Sequence, residues 1–355
     1  MANPPLQVFI IGGTGLIGSA LLGMMVKNKE NGIDVVTTVV GYCNSKKGVK
    51  LVEDKEETVA WTEEICFDDS FVDSCASGDG PICIADCTAS ESVSDKYPSW
   101  LAKGWHIATP NKKCNSGPLE RFNQCLEASQ TGGGKWYVEA TIGAGLPVVS
   151  TMRTLTSTGD SIHSVQGIFS GTMSFLFNTW DGTSPFSQIV SEAKKAGYTE
   201  PDPRDDLNGM DVARKVVIAA RESGLMISLE DVSVESLVPK TLVGCSADEF
   251  MAKFHENDSL LADLSSKAAA DGNVLRFVGA VDVPSKKAEV KLAAFPKSHP
   301  FAGLSGADNI LEIKSERYGP LGSSTPLIIR GPGAGAQVTA AGVYGDIIAL
   351  ASSKL

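Results

Sequence analysis

Basic residues are in short supply. The 355-residue chain carries 31 Lys and Arg against 42 Asp and Glu, a formal charge of −11. That balance argues against nucleic acid or an anionic membrane surface as a partner, and an anionic cofactor would need a local basic pocket or a helix N-terminus. A secretory signal is missing too, since the first residues show neither a basic region nor a cleavage-like site. The expected location is the cytoplasm, or an organelle if a transit peptide has been removed. Without such a signal, the eight cysteines (43, 66, 75, 83, 87, 114, 125 and 245) read as free thiols in a reducing compartment. No His or second close Cys pair completes a zinc site around Cys83 and Cys87. Internal repeats and low-complexity tracts are absent. With 43% hydrophobic residues nothing suggests disorder, and the length predicts two domains, or one large one with insertions. The uncharged run 8–26 contains five glycines and reads as strand, turn and helix, not as a membrane span.

What is present begins with an apolar strand at 6–11, followed by Gly13, Thr14, Gly15, Leu16, Ile17 and Gly18 as G-x-G-x-x-G, then a helix over 19–27. Glycines at these positions permit a tight turn, close approach of a pyrophosphate and close helix–strand packing. The diphosphate would sit at the helix N-terminus. A second strand, 34–40, ends where an NAD enzyme would carry an acid for the ribose 2′-hydroxyl. Gly41-Tyr42-Cys43-Asn44-Ser45-Lys46-Lys47 stands there instead, with no carboxylate. NADP preference is expected, with Asn44, Lys46 and Lys47 around the 2′-phosphate and NAD as the alternative cofactor. The competing reading is a basic surface loop.

Segment 49–77 reads as surface helix and loop. Strands at 80–85 and 105–109 end in Asp86–Ser90 and in Pro110-Asn111-Lys112-Lys113, and ligands lie at such carboxyl ends in open α/β sheets. A further strand at 136–139 runs into a glycine-rich turn. Beyond residue 148 come a helix at 152–158, a strand at 161–169, and helices at 173–180 and 186–196. The amides at the start of 173–180 could receive a substrate carboxylate. Strands at 274–283 and 288–295 form an antiparallel pair, followed by strands at 309–315 and 326–330. A flexible break at 331–335 precedes a helix at 337–350. The expected architecture is an α/β Rossmann-type dinucleotide-binding domain over 1–147, completed by the C-terminal segment 331–355. A second α+β mixed-sheet domain, catalytic and dimerising, covers 148–330.

Residues 197–215 concentrate acid: Glu200, Asp202, Asp205, Asp206 and Asp211. Pro201 and Pro203 should hold the segment extended, with Asp206 or Asn208 capping a helix to about Glu222. Asp211 and Lys215 share a face four residues apart. Both an ordinary half-buried helix with a solvated charged stripe and an active-site pair fit this spacing. Ile218, inside the charged arc, hints that the stripe is not open to water.

Three segments, EATIGAGLP at 139–147, SGTMSFLFN at 170–178 and GYTEPDPRDDLNGMDVARK at 197–215, resemble the signatures of homoserine dehydrogenases. They stand in the family's order, and the similarity runs from the first strand to the last helix. The resemblance implies reversible NAD(P)H-dependent reduction of L-aspartate 4-semialdehyde to L-homoserine, a step of threonine, methionine and isoleucine biosynthesis. It implies Lys215 as the acid–base group, Lys112 (with Lys113 as the alternative) supporting the same charge, and Asp211 orienting Lys215 and touching substrate. Glu200 and Asp206 would bind the ammonium group, with Gly171 and Thr172 also at the substrate. Thr88 and Gly342 would lie beside the cofactor. A monovalent cation such as sodium would sit on Glu139 and the carbonyls of Ile142, Ala144 and Leu146. A homodimer is implied through the second domain's sheet, and no fused kinase or regulatory domain is expected. The rival readings are another two-domain NADP oxidoreductase of amino-acid aldehydes or ketones, and a catalytically silent NADP-binding regulator.

Overall fold

The computed structural model describes residues 4–34, 36–52, 55–62, 67–78, 80–319 and 325–352. Cys66 falls outside them, and the other seven cysteines are free thiols. The chain divides into two compact units, Met1–Gly145 with Gly335–Leu355, and Leu146–Ala334.

The first unit is a seven-stranded sheet of order β4-β3-β2-β1-β5-β6-β7. Its strands are β1 Leu6–Ile11, β2 Thr37–Cys43, β3 Lys47–Val52, β4 Lys55–Ala60, β5 Ile82–Asp86, β6 His106–Ala108 and β7 Trp136–Tyr137. β2, β1, β5, β6 and β7 run parallel. All six residues of β1 are buried, as a parallel strand covered on both faces requires. On one face Leu6, Val8 and Ile10 join Leu21 and Met25 of the helix Leu16–Glu30 and Val343, Ile347 and Leu350 of the helix Ala336–Ser352. On the other, Phe9 meets the rings of Phe67 and Phe71. The surface helix and loop expected over 49–77 are instead an antiparallel hairpin, β3 with β4, followed by a helix at Asp69–Cys75. The hairpin is tied down because Gly48 lies under the rings of Trp61 and Phe71, where any Cβ would overlap them.

The second unit is a mixed six-stranded sheet of order β13-β12-β8-β10-β11-β9. Its strands are β8 Ile162–Ile168, β9 Ser233–Val234, β10 Asn273–Asp282, β11 Lys287–Pro296, β12 Asp308–Ser315 and β13 Leu327–Pro332. β10 and β11 form the expected antiparallel pair, in register from Asn273–Pro296 to Asp282–Lys287. β13 continues to Pro332 by pairing with Asp308, so the break expected from residue 331 starts later. The helix Met210–Glu222 lies on β10 and β11. The approach is close, since a Cβ on Gly279 would overlap Val216 and the Phe169 ring.

Two local expectations for 197–222 fail. Pro203 does not hold the chain extended; with φ −59° it starts a one-turn helix, Arg204–Leu207, a position that suits its locked φ. The longer helix then begins separately at Met210 behind Gly209, whose φ of 74° breaks the run. Asn208 caps locally, accepting from the Met210 N–H at 2.8 Å, whereas Asp206 lies before the break. The charged stripe is only partly solvated: Lys215, Ile218 and Arg221 are buried, whereas Asp211 is exposed and Arg214 and Glu222 are half-buried. Arg221 donates to the Ile227 carbonyl, and Arg153 pairs with Glu222 at 2.7 Å. Among the described residues no helix is long and apolar enough to cross a membrane.

His106 on β6 is buried, and its Nδ1 accepts the Lys135 backbone N–H at 3.0 Å. Burial, reinforced by the Lys135 charge, holds its pKa down at about 4. The folded value thus lies below the unfolded one of about 6.5. The neutral ring's contribution is complete above about pH 6.5 and is lost as pH falls toward 4. His106→Gln, which keeps an acceptor that does not titrate, should flatten the fall in Tm across that window; an unchanged slope would refute the assignment.

Candidate active site

The loops at the carboxyl ends of β1 and β5 meet. Gly12 takes φ 79°, and a Cβ there would strike the Thr88 methyl and the Cys87 carbonyl. The left-handed residue of the turn is therefore Gly12, one position before the motif's first glycine. A Cβ on Gly18 would overlap the Gly12 carbonyl oxygen, so the helix Leu16–Glu30 starts hard against the turn. Gly15 caps it without a side chain, no acid stands in its first turn, and Leu16 is exposed. The Gly12, Gly13 and Gly15 N–H groups are taken by the Cys43 and Gly12 carbonyls, so in this cradle the N–H groups at the start of the helix, Leu16 and Ile17, are the ones that suit a diphosphate. Asn44 joins the cradle to the β2–β3 turn. Its Nδ2 donates to Thr14 Oγ1 at 3.0 Å, and its Oδ1 accepts from the Lys46 and Lys47 N–H groups at 2.8 and 3.0 Å.

Asp86 organises the other half of this rim, a role that strand-end position alone did not reveal. It is fully buried. Its Oδ1 accepts the Thr88 N–H and hydroxyl at 2.9 and 2.7 Å. Its Oδ2 accepts from the Tyr97 hydroxyl at 2.5 Å and Asn111 Nδ2 at 2.9 Å. Burial, then the Asp86 charge, push the Tyr97 phenol well up, so it stays a donor. Asn111 in turn caps the short helix Lys112–Asn115 by accepting the Lys113 N–H at 3.0 Å. One carboxylate thus sets both Thr88 and the helix that bears Lys112. Lys113 Nζ lies 3.8 Å from Glu91.

Glu139 opens a turn of 3₁₀ helix, and Ile142 and Ala144 follow in the same unit, Ala144 with a left-handed φ of 56°. Leu146 begins the other unit, and its carbonyl accepts the Val148 N–H at 2.8 Å. Asp346 of the C-terminal helix accepts the Glu139 N–H at 2.9 Å. Gly342 packs against this same loop, since a Cβ there would overlap the Ala144 carbonyl. Among the described residues no group of three His, Cys, Asp or Glu could hold a metal ion.

In the second unit the Lys215 ammonium donates to the Phe169 carbonyl at 2.7 Å and pairs with Asp211 Oδ2 at 2.8 Å. Lys215 is buried, while the Asp211 carboxylate is half exposed. Asp206 Oδ2 accepts the Glu200 N–H at 2.8 Å. The Thr172 hydroxyl, next to Gly171 in the first turn of the helix Gly171–Thr179, donates to the Tyr198 carbonyl at 2.7 Å. Tyr198 stacks on Phe175 with ring centroids 4.0 Å apart. Burial raises the Asp206 pKa, the Glu200 and Asp211 charges raise it further, and the hydrogen bond from the Glu200 N–H opposes both. The structure thus gathers Glu200, Asp206, Asp211, Lys215 and Thr172 in one place. Sequence reasoning missed Phe169 and Asn309, which complete the lysine's surroundings.

The family model for homoserine dehydrogenase matches residues 147–348, and that for the homoserine dehydrogenase NAD binding domain matches residues 13–139. The homoserine dehydrogenase of Schizosaccharomyces pombe is 42% identical, with 96% of this chain and 94% of that protein covered. That of Saccharomyces cerevisiae is 39% identical, with 99% of each covered. The chloroplastic bifunctional aspartokinase/homoserine dehydrogenase 1 of Zea mays is 47% identical over 99% of this chain, which spans 39% of that protein's length. Among solved structures, a Candida auris protein of unknown function has a TM-score of 0.87 at 37% identity, covering 98% of this chain and 99% of that one. A hyperthermophilic archaeal homoserine dehydrogenase solved with NADPH, with a TM-score of 0.70 at 19% identity and 97% of each chain covered, shares the fold.

Because the folded pKa of Asp206 is raised, its ionised form weakens folding, and stability is lost as pH rises through that value. Asp206→Asn should leave Tm unchanged near pH 3 and raise it at pH 8. The gain should be about 1–3 °C after allowing for solvent screening. A drop in Tm at pH 8 would contradict the like-charge cluster.

Proposed function

The chain belongs to the homoserine dehydrogenase family, and from that premise we propose that it interconverts L-homoserine and L-aspartate 4-semialdehyde with NADP. The observation that carries this reading is the Lys215 ammonium, buried and held between the Phe169 carbonyl and the Asp211 carboxylate. An ammonium has three N–H donors. Phe169 and Asp211 take two, which leaves the third for a substrate oxygen.

The glycine turn fits a dinucleotide: a Cβ at Gly12 would strike Thr88 and Cys87 and one at Gly18 would strike Gly12, so only glycine permits so tight a turn, and its helix starts without a side-chain cap. The bound nicotinamide would supply or accept the hydride. The chain's own residues manage charge and proton. Lys215 gives a proton to the oxygen as it gains charge in reduction, and takes one from the hydroxyl in oxidation. Asp211 holds the Lys215 side chain and touches substrate. Lys112, with Lys113 as the alternative, would support the same oxygen. Glu200 and Asp206 take the ammonium group, whose arrival relieves their repulsion. Thr172 and Gly171 lie at the start of a helix, where N–H groups suit the substrate carboxylate.

The NADP preference is supported by the Asn44 turn, which fixes Lys46 and Lys47 against the cradle with no acid between Gly41 and Lys47. Thr88 and Gly342 beside the cofactor, a monovalent cation on Glu139 and the carbonyls of Ile142, Ala144 and Leu146, and a homodimer through the second unit's sheet belong to the same reading. Family resemblance supports these assignments.

A spectrophotometric assay with homoserine and NADP at alkaline pH tests the reaction. Lys215→Ala should lower kcat about 10²–10⁴-fold with cofactor binding retained; a loss below about threefold would sink the acid–base role. Lys46→Glu combined with Lys47→Glu should shift the kcat/KM ratio at least about tenfold toward NAD, and an unmoved ratio would remove the 2′-phosphate assignment.

A further inference from the structure

We propose that Asn309 is a positioning residue for Lys215, acting through the Phe169 carbonyl that the two side chains share. The proposal rests on the acid–base role given to Lys215 above. β8 ends at Ile168, paired with Ile310, and Ser170 caps the helix Gly171–Thr179. The Phe169 carbonyl therefore falls between ladder and helix, outside both hydrogen-bond patterns. Two side chains serve it instead: Lys215 Nζ at 2.7 Å and Asn309 Nδ2 at 3.1 Å. A carbonyl oxygen has two lone pairs, so the set is complete.

Asn309 lies on β12 with none of its surface exposed. Its amide is packed flat against the chain at Gly333, where a Cβ would overlap Nδ2 and Cγ. The amide's orientation follows from the chemistry, because turning it over would set Oδ1 against the Phe169 oxygen. As it stands, Oδ1 is buried and without a hydrogen-bond partner among the described residues. Such a group costs stability, and a leucine would fill similar space without it. Packing alone gives no reason for an amide here, and among the described residues the one side-chain polar atom of Asn309 with a partner is Nδ2, on the Phe169 carbonyl.

The consequence concerns direction. Two anchors, Phe169 O and Asp211 Oδ2, set where the third Lys215 N–H points. Asp211 is half exposed on its helix, so the carbonyl is the stiffer anchor, and it is stiff because Asn309 pins it from the second side. Without that donor the peptide joining Phe169 to Ser170 is free to tilt, and the ammonium loses its aim at the reacting oxygen. Small misplacements of a catalytic group lower turnover more than binding.

The test is a double-mutant cycle in the full chain, with Asn309→Leu as the isosteric variant and Asn309→Ala beside it in case the leucine disturbs packing. Each should lower kcat for homoserine oxidation about tenfold, with KM for homoserine and NADP within about threefold. Tm of the leucine variant should hold or rise. In a Lys215→Ala background the same substitutions should change kcat by less than about twofold, since there is no ammonium left to aim. Equal fold-losses in both backgrounds, or a loss carried by KM, would overturn the proposal while leaving the role of Lys215 intact. A Lys215→Ala loss below about threefold would instead overturn the parent reading, and this proposal with it.

Discussion

An ammonium group out of water must be met by acceptors, and in the second unit everything near the site follows from meeting one. Burying an unpaired charge costs several kcal/mol even after relaxation. Lys215 escapes that cost with one charged and one neutral partner. The neutral partner matters for chemistry. Two carboxylates would clamp the proton, whereas a carbonyl and a single half-exposed carboxylate hold the nitrogen in place without neutralising it twice. The fold supplies the carbonyl by ending β8 one residue early. It supplies the approach by seating Met210–Glu222 on the small Gly279 of β10.

The first unit solves the mirror-image problem. Asp86 is a carboxylate without exposure, and its hydrogen-bond partners are neutral donors: an amide, two hydroxyls and a backbone N–H. Hydrogen bonds to the charged form are what make a buried carboxylate tolerable. The geometric result is that two loops from different strands are fixed by one group. Thr88 is held directly, and the Lys112 helix is held through its Asn111 cap. Rigid placement of both from a sheet end is what a dinucleotide site at a topological switch point requires.

How much of this was legible in the sequence depends on range. The G-x-G-x-x-G turn, the β10–β11 pair and the Asp211–Lys215 face are local patterns, and each appears at its expected place. The β3–β4 hairpin was not legible, because an acidic stretch with few apolar residues carries no clear period, and what anchors it is Gly48 under two rings distant in sequence. The helix break at Gly209 was hidden behind Asp206 and Asn208, both plausible caps; packing against Phe277, Val234 and Val290 decides it. Phe169 and Asn309 left no signal at all. They lie 46 and 140 residues from their hydrogen-bond partners, and a backbone carbonyl has no side-chain identity to read.

The acid around Asp206 raises a question of ligand choice that the chain's own cations do not answer. Arg204, inside the acidic segment, is committed elsewhere: it bonds Asp202 and the carbonyls of Leu242, Val243 and Cys245, and lies over the Phe250 ring. That clamp fixes the segment but adds no positive charge to Asp206, whose pKa remains raised by burial and by Glu200 and Asp211. A neutral aldehyde entering here would leave the repulsion in place, and an anion would add to it. A ligand bearing an ammonium group would remove it, so under the proposed function the site would gain most from an amino acid and discriminate against the same aldehyde lacking its amine. In the proposed reaction Lys215 would then be spared from neutralising the whole cluster, leaving its third N–H for the oxygen where charge develops.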